Sequence, residues 1–269
     1  MGIRLRAQSF DAVCLGEACF TLGDGGVRPR GGAVNAALAL ARRGLRVALA
    51  ISAADALGRA LEEELEACGV AVSLGEGERS MLLTGTSSAV AAHDTAGLSV
   101  PEEWTSRVLL LSGVSPDVPY VAALCKAARA ARRVGCAVVL DVNAQWQRWL
   151  GHDPRTMRAL LREVDVVRCS PEDLAVLADD ATALRAMVRA DAVTITTTAD
   201  GVATAAGPFG PITRAPPRRW RFRHTGAGDA FTAALCVELV RRDDRGDAFW
   251  ADALAAGHVA AASERRARR

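Results

Sequence analysis

The sequence contains almost no lysine and shows no extended run of positive charge. Lys126 is the only lysine among 33 basic residues, so arginine carries nearly all of the positive charge. The 31 acidic residues are interspersed with the basic ones, and the formal net charge is only +2. No basic face suited to a phosphate backbone is therefore expected, and nucleic acid is not predicted as a partner.

Paired cysteines, a signal peptide and a membrane span are also missing. The cysteines number 7, an odd count, and none forms a Cys-x-x-Cys pair. They are predicted to be small buried hydrophobic residues in a reducing compartment, and neither disulfides nor zinc ligands. The apolar run after the first arginines is interrupted by Gln8, Ser9 and Asp11, too soon for a signal peptide. No stretch approaches the roughly 20 apolar residues of a membrane span, so a cytoplasmic protein with no membrane partner is expected.

Short apolar runs alternate with helical segments along most of the chain. The clearest pair is a helix over 35–43, stopped at Gly44, and a buried strand over 47–51. Further strands are predicted at 108–111, 137–142, 164–168 and 193–197, and further helices at 57–68, 118–134, 171–178, 231–240 and 249–262. This order predicts an α/β fold, with a parallel sheet covered by helices on both faces.

Two segments, at about 17–30 and 77–98, interrupt this alternation, and the second is rich in Thr, Ser and Gly. They are predicted to form a small β flap over the edge of the sheet, although a pair of surface loops would have a similar sequence. No internal repeat or linker divides the chain. A single domain over 1–269 is therefore predicted.

Residues 225–229 read Thr-Gly-Ala-Gly-Asp at the point where an amphipathic helix begins. Gly226 and Gly228 let the backbone come close to a ligand, and the unpaired amides of a helix N-terminus favour an anion such as phosphate. Asp229 falls in the first turn, where it could take the proton of a hydroxyl beside a transferring phosphoryl group. Alone the pattern is weak, because an ordinary helix start has the same letters.

Together with residues 30–35, Arg-Gly-Gly-Ala-Val-Asn, this box resembles the PfkB carbohydrate kinases, as a divergent member of a fructokinase and 2-keto-3-deoxygluconate kinase-like branch. The resemblance extends over most of the chain and includes Gly16-Glu17, Asp55, Gly58, Gly69-Val70, Asp141-Val142-Asn143, Trp149, Thr196 and Gly201. It implies a ribokinase-like three-layer α/β/α fold with a mostly parallel central sheet and a small β-strand lid. The Gly-Ala-Gly-Asp box is its most specific element.

The resemblance also implies a role for each matching residue. Asp229 would be the catalytic base, and the amides of Gly226, Ala227 and Gly228 would form the anion hole. The acceptor would contact Arg30, Gly31, Gly32, Asn35, Asp141 and Asn143. The nucleotide would contact Thr196, Thr198, Gly201, Thr225, Ser170 and His258. ATP and Mg²⁺ are the implied cofactors, with Asp173 holding the metal through water, and a homodimer through the lid is possible.

Several positions depart from the family pattern, and they lie on the acceptor and phosphate sides. Thr21 stands where an aspartate usually holds sugar hydroxyls, and Arg30 replaces the first glycine of the Gly-Gly segment. Gln145 replaces an arginine that would support the phosphates, Thr198 replaces a glycine, and Asp173 replaces a glutamate. An unusual acceptor is therefore expected, whereas the base itself is intact.

The leading interpretation is an ATP-dependent kinase that phosphorylates a hydroxyl of a small sugar, polyol or cyclitol. A nucleoside kinase of the same fold is the second interpretation, although residues 77–98 contain no aromatic side chain to hold a base. A non-catalytic ligand-binding paralogue is the third, because three phosphate-side positions are altered. An NAD-dependent enzyme is excluded, because the Gly-x-Gly comes late and lacks a third glycine.

Overall fold

The structure is a computed structural model that describes residues 8–16, 18–23, 26–52, 56–75, 79–84, 87–92, 98–114, 118–144, 153–217 and 226–267. Its strands are β1 (Gln8–Gly16), β2 (Cys19–Gly23), β3 (Gly26–Arg30), β4 (Val47–Ser52), β5 (Val70–Gly75), β6 (Arg79–Thr84), β7 (Ser87–Ala92), β8 (Trp104–Ser112), β9 (Ala137–Asp141), β10 (Val166–Cys169), β11 (Val193–Thr197), β12 (Ala203–Ala206) and β13 (Ile212–Arg214). Its helices are α1 (Gly32–Ala41), α2 (Ala56–Ala67), α3 (Val118–Arg133), α4 (Arg158–Leu161), α5 (Pro171–Leu177), α6 (Ala181–Met187), α7 (Ala227–Arg241) and α8 (Asp247–Ala267), with a 3-10 turn at Pro154–Met157.

The central sheet has nine strands in the order β13-β12-β11-β10-β9-β8-β1-β4-β5. All neighbouring strands from β11 to β5 are parallel, whereas β12 and β13 run antiparallel at one edge. In the middle of the sheet, Val13 of β1 lies opposite Ala48 of β4 and Leu109 of β8. The predicted α/β fold with a mostly parallel sheet is confirmed.

Successive residues of each strand pack into two separate hydrophobic layers. Ala12 and Cys14 of β1 belong to the layer that contains residues of α1, α2, α7 and α8. Val13 and Leu15 belong to the opposite layer, with residues of α3, α4, α5 and α6. Because both faces of the sheet are covered, its strands are apolar at consecutive positions, as expected for a buried parallel sheet.

A second sheet contains four strands in the order β3-β2-β7-β6, and its pairs are all antiparallel. The strands come from the two segments for which the sequence predicts a flap. β3 ends at Arg30, and Gly31, with φ of 111°, leads directly into α1. The function of this sheet as a lid, and a homodimer formed through it, stay predictions.

Most of the described cysteines are buried, as the composition predicts. Five of the described cysteines are free and buried, namely Cys14, Cys125, Cys136, Cys169 and Cys236. Cys68 is also free but exposed, because it directly follows the last residue of α2, so the prediction of burial is wrong for it. Across the described ranges, no helix combines the length and the apolar character that crossing a membrane would require.

Candidate active site

The helix α7 begins with a bare N-terminus. Gly226 is its N-cap and has the left-handed angles φ 92° and ψ −9°, and no side chain caps the helix. A residue with a β-carbon would be disfavoured at these angles by about 1–2 kcal/mol. With no side-chain cap at Gly226, this helix end is suited to an anionic ligand. Asp229 lies in this first turn and is 7% exposed.

Two asparagines hold the carboxylate of Asp229. Asn35 of α1 donates from Nδ2 to Asp229 Oδ2 at 2.8 Å, and Asn143, which follows β9, donates to Oδ1 at 3.4 Å. Asn143 has φ of 41° and is the one non-glycine residue with positive φ in the described part of the chain. A carboxylate oxygen can accept more than one hydrogen bond, so these two contacts do not by themselves prevent Asp229 from accepting one from a ligand hydroxyl.

These asparagines are a signal that the sequence analysis used only in part. Asn35 and Asn143 are the only asparagines in the 269 residues. Both contact Asp229, although they lie far apart in the sequence. The structure thus brings together three residues predicted to be the base and two acceptor contacts, and their roles remain to be tested.

Gly32 lies close to the side chains of Ser112 and Asn143. A β-carbon at Gly32 would lie 2.3 Å from Ser112 Oγ and 2.5 Å from Asn143 Nδ2. Ser112 ends β8 and is 1% exposed, and its Oγ has no hydrogen-bond partner. Asp229, the two asparagines and this serine lie close to the carboxyl ends of β8 and β9, where open α/β sheets bind ligands.

Arg168 on β10 is a site residue that the sequence analysis did not identify. Its Nη1 donates to Asp141 Oδ1 at 3.2 Å, and Thr232 of α7 donates to Asp141 Oδ2 at 2.6 Å. A β-carbon at Gly228 would lie 3.0 Å from Arg168 Nη1. Gly228 thus leaves space for a buried guanidinium, in addition to any role toward a ligand.

Asp141 was predicted to bind the acceptor, but it is 1% exposed and both of its oxygens accept hydrogen bonds from protein groups. In this structure it positions Arg168 and Thr232. Its contact with the acceptor stays a prediction, and the geometry favours a supporting role.

Ser170 and Asp173 form a capping box at the start of α5. Ser170 Oγ accepts the Asp173 N–H at 3.1 Å, and Asp173 Oδ2 accepts the Ser170 N–H at 2.8 Å. Asp173 Oδ1 accepts the backbone N–H of Ala144 at 2.7 Å. Burial raises the pKa of Asp173, and the positive charge of Arg168 opposes this shift. The predicted nucleotide contact of Ser170 and metal contact of Asp173 are thus placed on groups that already cap a helix, and both stay predictions.

The described residues fit a magnesium ion only in a limited way. Within the ranges that the structure describes, no group of three His, Cys, Asp or Glu side chains could hold a metal. Mg²⁺ commonly keeps several waters and binds one or two carboxylates together with substrate phosphates. Any Mg²⁺ at this site would therefore depend largely on the phosphates of the nucleotide, and the contact of Asp173 through water stays a prediction.

Three of the predicted nucleotide contacts come together after β11. Thr198 Oγ1 accepts the Val202 N–H at 3.0 Å, and the Thr198 carbonyl accepts the Gly201 N–H at 2.9 Å. His258 of α8 lies with Nε2 at 2.9 Å from the Gly201 carbonyl oxygen. Thr196 lies in the strand before this turn. The turn and α8 are therefore joined through His258.

Two further predicted acceptor contacts, Arg30 and Gly31, lie where β3 leads into α1. Arg30 is half-buried at the end of β3, and Gly31 is the N-cap of α1, with its carbonyl accepting the Asn35 N–H at 2.9 Å. Thr225 lies outside the described residues, as do Gln145 and Trp149.

The environment of His258 leads to a prediction about stability and pH. His258 is 3% exposed, and burial lowers its pKa from the ordinary value of 6.5, while the Gly201 carbonyl opposes the shift. The neutral ring is thus favoured in the folded state. The stability that the neutral His258 ring contributes is fully present above the pKa of His258 in the unfolded state. It is lost as the pH falls through the lower pKa of His258 in the folded state.

We expect the free energy of unfolding, measured by urea titration, to fall between about pH 7.5 and about pH 5.5. The His258→Gln variant keeps a hydrogen-bond donor but does not titrate, so its stability should fall less over this range. An equal fall in both proteins would show that His258 does not cause the pH dependence.

The family follows from a comparison with known sequences. Residues 21–266 match the family described as pfkB family carbohydrate kinase. The chain belongs to the PfkB family of carbohydrate kinases. The resemblance seen in the sequence is thereby confirmed. None of the curated proteins matches the chain in sequence.

Solved structures with the same fold include several kinases. Aminoimidazole riboside kinase from Salmonella enterica has 23% identity and a TM-score of 0.73, covering 94% of this chain and 92% of its own. Fructokinase from Vibrio cholerae O395 has 21% identity and a TM-score of 0.73, covering 96% and 99%. Fructokinase with bound ATP from Xylella fastidiosa has 17% identity and a TM-score of 0.70, covering 93% and 91%. At these identities the likeness establishes the fold of this PfkB protein.

Proposed function

We propose that this PfkB protein transfers the γ-phosphoryl group of ATP to a hydroxyl of a small sugar, polyol or cyclitol, with Asp229 as the general base. The observation that carries the proposal is the position of the Asp229 carboxylate. It lies in the first turn of α7, beside uncapped helix amides, and is held by Asn35 and Asn143. A carboxylate next to an anion-binding helix end suits phosphoryl transfer to a hydroxyl.

In the proposed reaction the acceptor oxygen forms a bond to the γ-phosphorus while the bond from that phosphorus to the bridging oxygen breaks, and ADP leaves. The hydroxyl proton passes to Asp229, which needs to be only a weak base if the proton leaves late. The amides of Gly226, Ala227 and Gly228 stabilise the negative charge on the phosphoryl oxygens. Removing one such donor typically costs about 3–4 kcal/mol of transition-state stabilisation. Mg²⁺ bound with the nucleotide would neutralise part of the phosphate charge.

The acceptor would lie beside Asn35, Asn143 and the N-terminus of α1. Asparagine amides both donate and accept hydrogen bonds, which suits neighbouring hydroxyls of a polyol. Arg30 ends the strand that leads into α1, and its positive charge would favour an acceptor that carries a carboxylate or phosphate. Together with Thr21 in place of the usual aspartate, this supports an acceptor other than a common hexose.

A riboside is the second candidate acceptor. One solved relative of similar fold is named aminoimidazole riboside kinase, and it has been solved with aminoimidazole riboside and an ATP analogue. The absence of aromatic residues in 77–98 gives less support to a base-binding flap. A ligand-binding paralogue without activity is the third candidate.

ADP release with ATP and Mg²⁺ tests these candidates across a panel of ketoses, polyols, cyclitols, sugar acids and ribosides. We expect release that depends on at least one acceptor from the first four classes. Release with ribosides alone would support the second candidate. Binding of ATP and an acceptor without any ADP release would reject the kinase proposal.

A further inference from the structure

The Ser112 hydroxyl, at the end of β8, is buried without a hydrogen bond. Ser112 is 1% exposed, and its Oγ has no hydrogen-bond partner among the residues that the structure describes. A serine hydroxyl can both donate and accept, and leaving one unpaired in the interior is costly. Because Oγ is itself closed off from the surface, a ligand cannot reach it without displacing protein atoms. The group that completes it is therefore expected to be a neighbouring side chain.

The side-chain amide of Asn143 lies beside the same small gap. A β-carbon at Gly32 would be 2.3 Å from Ser112 Oγ and 2.5 Å from Asn143 Nδ2, so both atoms border the space that the missing side chain leaves. The hydrogen bond from Asn143 to Asp229 is 3.4 Å long, whereas that from Asn35 is 2.8 Å long. Good N–H···O bonds measure about 2.7–3.2 Å, so Asn143 is the more weakly held of the two asparagines.

The backbone is fixed on both sides of Asn143. The Val142 carbonyl accepts the Val114 N–H at 3.2 Å, and the Ala144 N–H donates to a carboxylate of α5 at 2.7 Å. Val114 lies just after Ser112, so the first of these bonds also ties the end of β8 to the segment that carries Asn143. A change of partner by the Asn143 amide therefore requires only a rotation of its side chain.

We propose that Asn143 changes partner when the acceptor binds: its side-chain amide leaves Asp229 Oδ1 for Ser112 Oγ, and the acceptor hydroxyl takes its place on the carboxylate. This inference rests on the proposed function, because it takes Asp229 as the base that the hydroxyl approaches. Ser112 acts through Asn143 and does not touch the acceptor, so it is a positioning residue.

The exchange pairs a group that is unpaired in the free protein. The acceptor hydroxyl replaces the amide on Asp229, and the amide in turn satisfies the buried Ser112 hydroxyl. A hydrogen bond from an amide stabilises the charged form of a carboxylate. Moving the Asn143 amide away from Asp229 therefore favours transfer of the acceptor proton to that carboxylate.

Urea unfolding of four proteins tests the exchange without any ligand: the wild type, Ser112→Ala, Asp229→Ala and the double variant. In the wild-type background, Ser112→Ala removes an unpaired hydroxyl, so the unfolding midpoint should stay unchanged or rise. Asp229→Ala removes the carboxylate and leaves the Asn143 amide to Ser112. In that background Ser112→Ala should lower the midpoint, a coupling between two residues that share Asn143 as a partner.

Asp229→Ser, whose side chain is one atom shorter, allows the same comparison if Asp229→Ala does not fold. A lower midpoint for Ser112→Ala in the wild-type background would overturn the proposal, because the hydroxyl would then already be paired. Equal effects of Ser112→Ala in both backgrounds would overturn it as well.

Nuclear magnetic resonance identifies which asparagine moves. Asn35 and Asn143 are the only asparagines in the chain, so labelling with ¹⁵N-asparagine gives two side-chain amide groups, which Asn143→Ser assigns. In the Asp229→Ala background, adding Ser112→Ala should shift the Asn143 side-chain signals and leave those of Asn35 in place. A shift of the Asn35 signals alone, or of neither asparagine, would contradict the exchange.

Kinetics with an acceptor found in the panel test the role in catalysis. Ser112→Ala should lower kcat/KM for the acceptor by about 2- to 10-fold, the contribution of one neutral hydrogen bond. The affinity for ATP should stay within about 2-fold of the wild type, and the urea midpoint should not fall. A purely structural role would instead lower stability and kcat/KM together, and an unchanged kcat/KM would overturn the proposal.

Ser106→Ala is the matched control for the kinetics. Ser106 lies in the same strand and is half-buried, but it is near the opposite end of β8 and contacts Cys136 Sγ at 3.5 Å. Its kcat/KM should equal that of the wild type.

Failure of this proposal and failure of the proposed function are distinguishable. A wild-type protein that releases no ADP with any acceptor would reject the proposed function, while the unfolding and resonance measurements would still decide whether Asn143 exchanges partners. Normal turnover, with equal effects of Ser112→Ala in both backgrounds, would overturn the exchange alone.

Discussion

Replacing Asp229 with asparagine is expected to lower kcat by about 100- to 10,000-fold, the range that general base catalysis commonly contributes. The amide has nearly the shape of the carboxylate but cannot take the acceptor proton. Because the proposed phosphate contacts come from the helix amides and not from the Asp229 carboxylate, the affinity for ATP should stay within a few-fold of the wild type. Steady-state kinetics with the best acceptor, together with calorimetric ATP binding, measure both quantities.

Asp247→Asn is the matched control for this prediction. Asp247 lies in the first turn of α8 and is exposed, whereas Asp229 lies in the first turn of α7 and is buried. Both substitutions remove a carboxylate from a helix N-terminus, so a general effect on helix stability should be similar in both. A near-normal kcat in Asp229→Asn would remove Asp229 from the mechanism, and a large loss in Asp247→Asn would show that the assay reports stability.

The sequence predicts the parallel sheet well because its strands are buried on both faces. Val47–Ser52 and Ala137–Asp141 are apolar at nearly every position and are followed or preceded by helices with a regular apolar period. Such segments are recognisable without any knowledge of their neighbours. The strand β12, Ala203–Ala206, is not predicted from the sequence. Its alanines have little preference for a strand, and its position depends on pairing with β11.

The site is less predictable, because its contacts join distant parts of the chain. The sequence places Arg168 at the end of a short predicted strand but does not reveal that its guanidinium lies against Gly228 of α7. A charged residue in an otherwise apolar strand, Val-Val-Arg-Cys, was the available signal, since parallel strands covered on both faces rarely contain one. In the same way, the restriction of asparagine to positions 35 and 143 indicates special positions, but only the structure brings both to Asp229.

Gly32→Ala is expected to lower kcat/KM by about 10- to 100-fold, a loss typical of small displacements in an active site. The new β-carbon would lie 2.3 Å from Ser112 Oγ and 2.5 Å from Asn143 Nδ2. Asn143 must therefore move, and its hydrogen bond to Asp229 is lost. Alanine normally favours a helix over glycine by up to about 1 kcal/mol, but overpacking here should lower the free energy of unfolding by about 1–3 kcal/mol.

Two further variants separate the crowding of the fold from the displacement of Asn143. Gly210→Ala adds a β-carbon where no atom lies within 4 Å, so its kinetics and its urea unfolding curve should match the wild type. Adding Ser112→Ala to Gly32→Ala removes a hydroxyl without a partner and the nearest obstacle, so stability should recover. Activity should stay low, because Asn143 is still displaced. Full recovery of kcat/KM in this double variant would show that Ser112, and not the contact between Asn143 and Asp229, accounts for the need for glycine at position 32.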